Sequence, residues 1–184
     1  MDFLYLDFVN SSEKDYLTGE PQEHLKEVGW LENLLTRYDL IMPTALTPTA
    51  MKSLTAFRTI LRRVTEALIE GEEFADENTA KLNQYLAKVT LRRRLDNTKG
   101  APHLKLVPQQ QNWDWVQAEI VTSLVDFIAQ RDRERLKICD NHNCCWIFYD
   151  ESKSRTRRYC SDHTCGNLIK VRRFRERHKA DAKE

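Results

Sequence analysis

All five cysteines of this chain lie between positions 139 and 165. Four of them form two pairs with the same spacing, Cys139-x4-Cys144 and Cys160-x4-Cys165. Two close pairs carried on two turns can place four thiolates around one Zn²⁺, at Zn–S distances of about 2.3 Å. A closed shell of four thiolates leaves no position for water, so such a metal holds a fold and does no chemistry. The spacing therefore predicts one structural zinc ion per chain.

Other uses of these cysteines are less well supported. Buried structural thiols would scatter among core positions rather than cluster. The chain starts without a secretory signal, and disulfides are rare in the cytosol. A redox dithiol is disfavoured because the sequence has no Cys-x-x-Cys pair.

Several residues compete for the four ligand positions. The symmetric spacing favours four residues, which are Cys139, Cys144, Cys160 and Cys165. Cys145 competes with Cys144 for its position, and His142 and His163 lie between the paired cysteines. His163 is the better histidine candidate, because Cys160-Ser-Asp-His163 also has knuckle-like spacing. The sequence leaves these alternatives open.

Basic residues surround the second cysteine pair. Gly166-Asn167 opens a segment, Leu168 to Lys179, that is predicted to be a helix because it contains no Pro or Gly and many good helix formers. From position 153 to 179 the chain has ten Lys or Arg and two acidic residues, a net charge of +8. Concentrated positive charge on a rigid helix is typical of binding to a phosphate backbone. A merely solvated charged helix is the alternative.

The predicted DNA contacts come from a loop and a helix. The loop residues are Lys153, Arg155, Arg157 and Arg158, and the helix residues are Lys170, Arg172, Arg173, Arg175 and Arg177. The loop residues are expected to anchor phosphates, whereas Lys or Arg side chains of the helix are the candidates for reading guanine edges. Stacking of Trp146, Phe148 and Tyr149 on RNA bases is an alternative, although packing of these aromatic residues under the metal site is favoured.

These residues resemble the CGNR zinc finger. The matching positions are Cys139, Cys144, Trp146, Arg157-Arg158-Tyr159-Cys160 and Cys165-Gly166-Asn167. The resemblance implies a small treble-clef-like finger in a DNA-binding protein. One departure is Leu168, which stands where the signature has arginine. Leu168 is no metal ligand, so the departure affects the expected DNA contacts and not the expected fold.

Length and charge divide the chain in two. The 184 residues are enough for one ordinary domain, predicted at 1–135, and one small module, predicted at 136–184. Residues 139–184 carry eleven Lys or Arg and seven acidic residues, a net charge of +4. Residues 1–138 carry eighteen Lys or Arg and twenty-one acidic residues, a net charge of −3. Nucleic-acid affinity is therefore expected in the C-terminal module. No apolar run is long enough to cross a bilayer, so a cytoplasmic protein is expected.

Periodicity predicts a mostly helical α+β first domain with a few short strands. A buried strand is predicted at Phe3–Val9 and a pair of strands at 89–95 and 103–107. Helices are predicted at 22–38, 48–70, 76–88 and 113–131. The second of these starts at Thr47-Pro48, a capping residue followed by proline. Between the cysteine pairs we expect a strand, a basic turn and a second strand.

The start of the chain resembles the stress-induced transcription regulators, in which an ABATE domain precedes a CGNR finger. The residues that carry this resemblance are Leu4-Tyr5-Leu6-Asp7-Phe8-Val9-Asn10, Trp30-Leu31, Arg58, Arg62 and Leu82-Asn83. It implies a bacterial regulator whose N-terminal domain senses a small molecule or assembles. Asn10, Arg58 and Asn83 are the candidate ligand contacts. Turn capping or a surface ion pair is the favoured alternative for these three.

The sequence thus favours a zinc-dependent regulator that binds double-stranded DNA, senses a small-molecule effector and forms a homodimer. An RNA-binding zinc protein is one alternative. An enzyme whose finger contacts another protein is a second, but the chain has no nucleophile elbow or phosphate loop and only five glycines. No catalytic residue is predicted.

Overall fold

A computed structural model gives the fold of residues 3–98 and 100–181, with side chains up to residue 178. The helices are α1 (Leu4–Val9), α2 (Trp30–Arg37), α3 (Pro48–Ile69), α4 (Asp76–Leu86), α5 (Trp113–Gln130) and α6 (Asn167–Asp181). The strands are β1 (Ser12–Lys14), β2 (Pro21–Glu23), β3 (Leu91–Thr98), β4 (Ala101–Pro108), β5 (Leu136–Ile138) and β6 (Ile147–Tyr149). They pair as β1–β2, β3–β4 and β5–β6, each antiparallel. The predicted mostly helical α+β class is confirmed.

The core of the body, residues 3–135, is built around α1. Tyr5 and Phe8 of this helix are fully buried, and it packs on α3 and α5. The ring centroid of Phe8 lies 5.7 Å from that of Phe57, and the ring centroid of Tyr5 lies 5.3 Å from that of Phe127. The prediction of a strand at Phe3–Val9 is wrong. A short apolar run that is buried on nearly every side has no periodicity that separates a strand from a helix.

The predicted helix at 22–38 is wrong in its first half. Pro21–Glu23 form β2, His24–Lys26 form a single 3-10 turn, and α2 begins only at Trp30. Gly29 precedes α2 with a φ of 77°, a left-handed conformation that favours glycine and interrupts a helix. Val28, which a continuous helix would turn toward the core with Leu25 and Leu31, is fully exposed.

The other predicted elements of the body are confirmed with small shifts of boundary. The side chain of Thr47 accepts a hydrogen bond from the N–H of Ala50 at 3.2 Å, which caps α3 as its sequence predicts. The helices predicted at 76–88 and 113–131 are α4 and α5. The predicted strand pair is β3–β4, with Leu95 opposite Leu104. We call this pair of strands, β3 and β4, the arm.

The finger, residues 136–181, contains the third sheet and α6. β5 pairs with β6, so that Leu136 lies opposite Tyr149. The second strand predicted between the cysteine pairs is wrong, because residues 150–161 form no strand and the partner of β6 precedes Cys139. The predicted helix at 168–179 is α6. Within the described ranges, no helix has the length and apolar character needed to cross a membrane.

Candidate metal centre

Four cysteine sulfurs meet at the base of α6. The Sγ atoms of Cys139, Cys144, Cys160 and Cys165 all lie within 4.8 Å of one another. The Sγ atom of Cys160 lies 3.6 Å from that of Cys144 and 3.8 Å from that of Cys165. Four sulfurs placed tetrahedrally at about 2.3 Å from Zn²⁺ are about 3.8 Å apart. The cluster therefore has the size and the donor set of one structural zinc site.

Local turns bring the sulfurs together. Cys139 and Cys144 belong to the connection between β5 and β6, where the N–H of Cys144 donates to the carbonyl of Asn141 at 2.7 Å. Cys160 ends the loop after β6, and Cys165 lies in a π-helical turn that leads directly into α6. A metal bound here fixes the direction of α6 relative to the β5–β6 sheet.

Hydrogen-bond donors and neighbouring thiols control the charge of the cluster. The N–H of Cys160 donates to Sγ of Cys139 at 3.4 Å, and Nδ2 of Asn141 donates to Sγ of Cys165 at 3.3 Å. Hydrogen bonds with Cys144 and then Cys160 lower the pKa of Cys139, whereas hydrogen bonds with Cys139 and Cys144 raise the pKa of Cys160. One thiol therefore ionises readily and then opposes the ionisation of the next. A divalent cation removes that opposition, which is the condition for four thiolates in one site.

The alternative ligands lie outside this group of four. The carbonyl oxygen of Cys145 accepts a hydrogen bond from Arg62 at 2.9 Å, and Cys145 adopts a φ of 51°. His142 and His163 are exposed, and neither belongs to the cluster of possible metal ligands among the described residues. The structure brings together the four cysteines that the symmetric spacing favours.

Asn10 joins the finger to the body. Its Nδ2 donates to the carbonyl of Ile147 at 2.8 Å, and its Oδ1 accepts from the N–H of the same residue at 2.9 Å. Asn10 is almost completely buried, and Ile147 belongs to the core of the body. The side-chain amide of Asn10 therefore pairs with the backbone of β6 as a neighbouring strand would, with one donated and one accepted hydrogen bond. This bond pattern is a structural role, while the ligand contact predicted for Asn10 stays a prediction.

A second junction lies beside the cysteines. Asn141 Nδ2 donates to the carbonyl of Tyr16 at 2.9 Å, and Asn143 Nδ2 donates to the carbonyl of Leu17 at 2.9 Å. Arg172 of α6 also reaches the Leu17 carbonyl, at 3.4 Å. The turn between β1 and β2 thus contacts both the loop that carries Cys139 and Cys144 and the helix α6 of the finger. The body and the metal site are connected through the amide of Asn141, which touches both.

Arg58 is buried in an ion pair. Its guanidinium donates to Oε1 of Glu23 at 2.6 Å and to the hydroxyl of Ser11 at 2.8 Å. Asn83, in contrast, is an exposed residue of α4. Arg58 thereby links α3 to β2, and its predicted ligand contact, like that of Asn83, stays a prediction.

The loop arginines differ in their surroundings. Arg157 is turned inward, because its guanidinium lies 5.1 Å from the centre of the Phe148 ring and bonds the carbonyl groups of residues 159 and 160. Arg155 forms an ion pair with Asp132 at 3.0 Å, and Arg158 forms an ion pair with the exposed carboxylate of Asp140. Lys153 is exposed. Spacing alone predicts one role for these four residues, phosphate anchoring, whereas the fold gives Arg157 a packing role as well.

Asp150 organises that loop, and sequence reasoning missed it. Its carboxylate is fully buried and accepts hydrogen bonds from Nζ of Lys137 at 2.7 Å and from the N–H groups of Ser152 and Arg157, both at 2.9 Å. Burial alone would raise the pKa of Asp150, but these donors outweigh it and hold the pKa well below its usual range. The only sequence signal for this role is the position of Asp150, an acidic residue just before the basic loop.

The basic residues of α6 fall on different sides of the helix. Lys170, Arg173 and Arg177 are exposed and follow the i, i+3, i+7 spacing of one helical face. Arg172 lies on the opposite side and is half-buried against the body. Arg175 is exposed and, three residues after Arg172, lies on the same side of the helix as Arg172. One face of α6 is therefore cationic and points away from the body.

The aromatic residues in and just before β6 are used in packing. Phe148 is buried beside the cysteines, and Trp146 packs with Tyr16 against the same cluster. The ring centroid of Tyr149 lies 5.9 Å from that of Phe3. These three aromatic side chains therefore pack within the protein, as the favoured interpretation of the sequence predicts.

The fold and the four-cysteine cluster define a helical domain that carries a zinc finger. Residues 135–178 match the family model of the CGNR zinc finger. Residues 3–131 match that of the ABATE domain, described as "Putative stress-induced transcription regulator". The second match covers more than half of the chain, so the protein belongs to the ABATE family, with a CGNR zinc finger at its C-terminal side. No curated protein matches the chain.

Proposed function

We propose that this protein is a zinc-dependent regulator that binds double-stranded DNA through its finger. The observation that carries the proposal is the outward face of α6, where Lys170, Arg173 and Arg177 are exposed together. The cysteine cluster and the contact of Arg172 with Leu17 hold the other side of the helix. A charged helix fixed in this way can enter a groove without a further cost for ordering its backbone.

Phosphate anchoring would come from the loop before the second cysteine pair. Lys153, Arg155 and Arg158 are exposed there, and the ion pairs of Arg155 and Arg158 lie at the surface, where partners exchange readily. Arg157 and Arg172 would act indirectly, because both are engaged within the protein. The pattern fits contacts that position the finger on DNA, with base readout left to α6.

The proposed role of the body is to control the finger. A cleft of about 380 Å³ lies between the β1–β2 hairpin and the finger, with Tyr16 and Trp146 among its walls. Cys144, Cys160 and Cys165 also line it, so the metal site occupies one end and an effector would bind beside the zinc ligands. A small-molecule effector in this cleft would touch both parts at once. The RNA alternative is less well supported, because Phe148 and Tyr149 are engaged in packing and are not presented for stacking.

The double substitution Arg173→Ala/Arg177→Ala is expected to weaken DNA binding. A random-sequence duplex offers no specific base pattern to read, so on it Arg173 and Arg177 would contact phosphates. Each lost phosphate contact should reduce the slope of log K against log salt by about 0.9, so the slope should fall by about 2. Fluorescence anisotropy with a labelled random-sequence duplex at several salt concentrations measures both quantities.

The matched control for this pair is Lys52→Ala/Arg63→Ala, which removes two exposed charges from α3 of the body. The control should bind like the original protein. If both double variants lose the same affinity and slope, DNA is attracted by overall charge and the finger is not its site. Competition with single-stranded RNA at matched salt tests the alternative ligand.

A further inference from the structure

The arm has an apolar face that nothing in its own chain covers among the described residues. Alternation along the strands places Leu91, Leu95, Leu104 and Leu106 on one side, with Leu95 directly opposite Leu104. Arg93, opposite Leu106, is the one charged residue on this side. The exposed fractions of these leucines are 47%, 66%, 66% and 64%. An isolated two-stranded ribbon is marginally stable in water, and exposed apolar faces of this kind mark interaction sites.

The arm is also cationic. Its two strands carry four basic residues, Arg92, Arg93, Arg94 and Lys105, against Asp96 alone, a net charge of +3. A partner of the arm should therefore offer an apolar surface bordered by negative charge. Nucleic acid supplies the charge but no apolar surface for four leucines.

The body itself has a surface with those two properties. A cleft of about 470 Å³ lies between the start of α4 and the second half of α5, lined by Phe74, Val125, Ile128 and Ala129, with Glu73 and Arg133 at its edge. Val125 is 45% exposed. Glu73 and Phe74 of the lining belong to residues 70–77, a segment that contains five acidic residues and no Lys or Arg. The cleft is thus complementary to the arm in both polarity and charge.

Within one chain, the arm and the cleft lie at opposite ends of α5. Lys88, just before the arm, lies 3.5 Å from Asp114 in the first turn of α5. The cleft begins at Val125, and the fifteen residue steps from Trp113 to Ile128 span about 22 Å of helix. The strands of the arm have eight residues each and span about 27 Å. An arm of this length is able to reach along α5 of a neighbouring molecule.

We propose that the arm of one chain lies in the cleft of a second copy, and that the second arm lies in the cleft of the first. This reciprocal contact has two-fold symmetry and closes on itself, so it gives a dimer and not a filament. It buries the leucines of both arms and places the basic strands beside residues 70–77 of the other chain. The inference specifies the surface of the dimer and does not rest on DNA binding by the finger.

Sedimentation of the full zinc-loaded chain in the absence of DNA tests the proposal. At micromolar concentration the mass should be twice 21.7 kDa. The arm variant Leu95→Glu/Leu104→Glu and the cleft variant Val125→Glu should each have the mass of one chain. The control Ile41→Glu changes an exposed residue of similar exposure outside both surfaces and should remain dimeric. Helical circular dichroism is expected to be unchanged in all three.

Mixing the arm variant with the cleft variant provides the sharpest result. Each mixed pair keeps one intact arm facing one intact cleft, so dimers should reappear in the mixture. A monomeric original protein would overturn the proposal, and so would a dimeric cleft variant beside a monomeric arm variant, because arms would then pack on each other. An arm variant that stays dimeric but loses DNA affinity would make the arm a nucleic-acid surface instead. Loss of DNA binding by the finger variants alone leaves the dimer intact.

Discussion

Replacing Cys165 by serine is expected to remove zinc from the protein and to unfold the finger. Cys165 is fully buried and is joined to the body through Asn141, which also contacts Tyr16. Apparent binding free energies of structural zinc in small fingers are about 10–16 kcal/mol at neutral pH, so the metal supplies most of the stability of such a module. Metal analysis should give about one zinc per chain before the substitution and none after it.

Cys145→Ser is the matched control, since this neighbouring cysteine lies outside the group of four sulfurs. It should retain zinc and a folded finger. Hydrogen exchange should show fast amide exchange from residue 136 onward only in Cys165→Ser. Full zinc occupancy in Cys165→Ser, or loss of zinc in Cys145→Ser, would contradict the ligand set.

The substitution Arg58→Ala is expected to destabilise the body by about 3–5 kcal/mol, because it leaves a partly buried carboxylate without its partner. Arg58 is 6% exposed and donates to both Glu23 and Ser11. Urea unfolding followed by circular dichroism measures the change. Arg63→Ala, an exposed residue of the same helix, is the control and should alter the free energy of unfolding by less than about 0.5 kcal/mol. A small effect of Arg58→Ala would reopen its predicted role as a ligand contact.

The same ion pair gives a pH dependence with a defined sign. Burial raises the pKa of Glu23, but the hydrogen bond with Arg58 and the positive charge of Arg58 outweigh burial and lower it. A carboxylate with a lowered pKa in the folded state stabilises the fold above its unfolded pKa of about 4.3. That contribution is lost as the pH falls through the folded pKa. The Arg58→Ala variant should therefore have a lower free energy of unfolding than the original protein at neutral pH. As the pH is lowered, this free energy should fall by less in the variant than in the original protein.

Local signals predicted the parts of this protein that short-range physics controls. The cysteine spacing predicted the four sulfurs that the structure brings together, and Thr47-Pro48 predicted the cap of α3. Alternating residues predicted the pairing of β3 with β4. Each of these patterns acts over a few residues, where propensity and spacing are sufficient.

Features that depend on distant contacts were not predictable in this way. The run at Leu4–Val9 is a helix because α3 and α5 surround it, which no local pattern indicates. Asn10 meets Ile147 across 137 positions of sequence, and Asn141 meets Tyr16 across 125. The roles of Arg157 and Arg172 also depend on such contacts, because spacing alone made them equivalent to the exposed arginines beside them.

The central claim is that bound zinc holds α6 in the position from which it meets DNA. Titration of a labelled duplex with the zinc-loaded protein, with the same protein after chelation, and after zinc is restored tests this claim most directly. We predict that affinity and salt dependence are lost together on chelation and return with one zinc per chain. Equal affinity and an equal salt slope with and without zinc would contradict it.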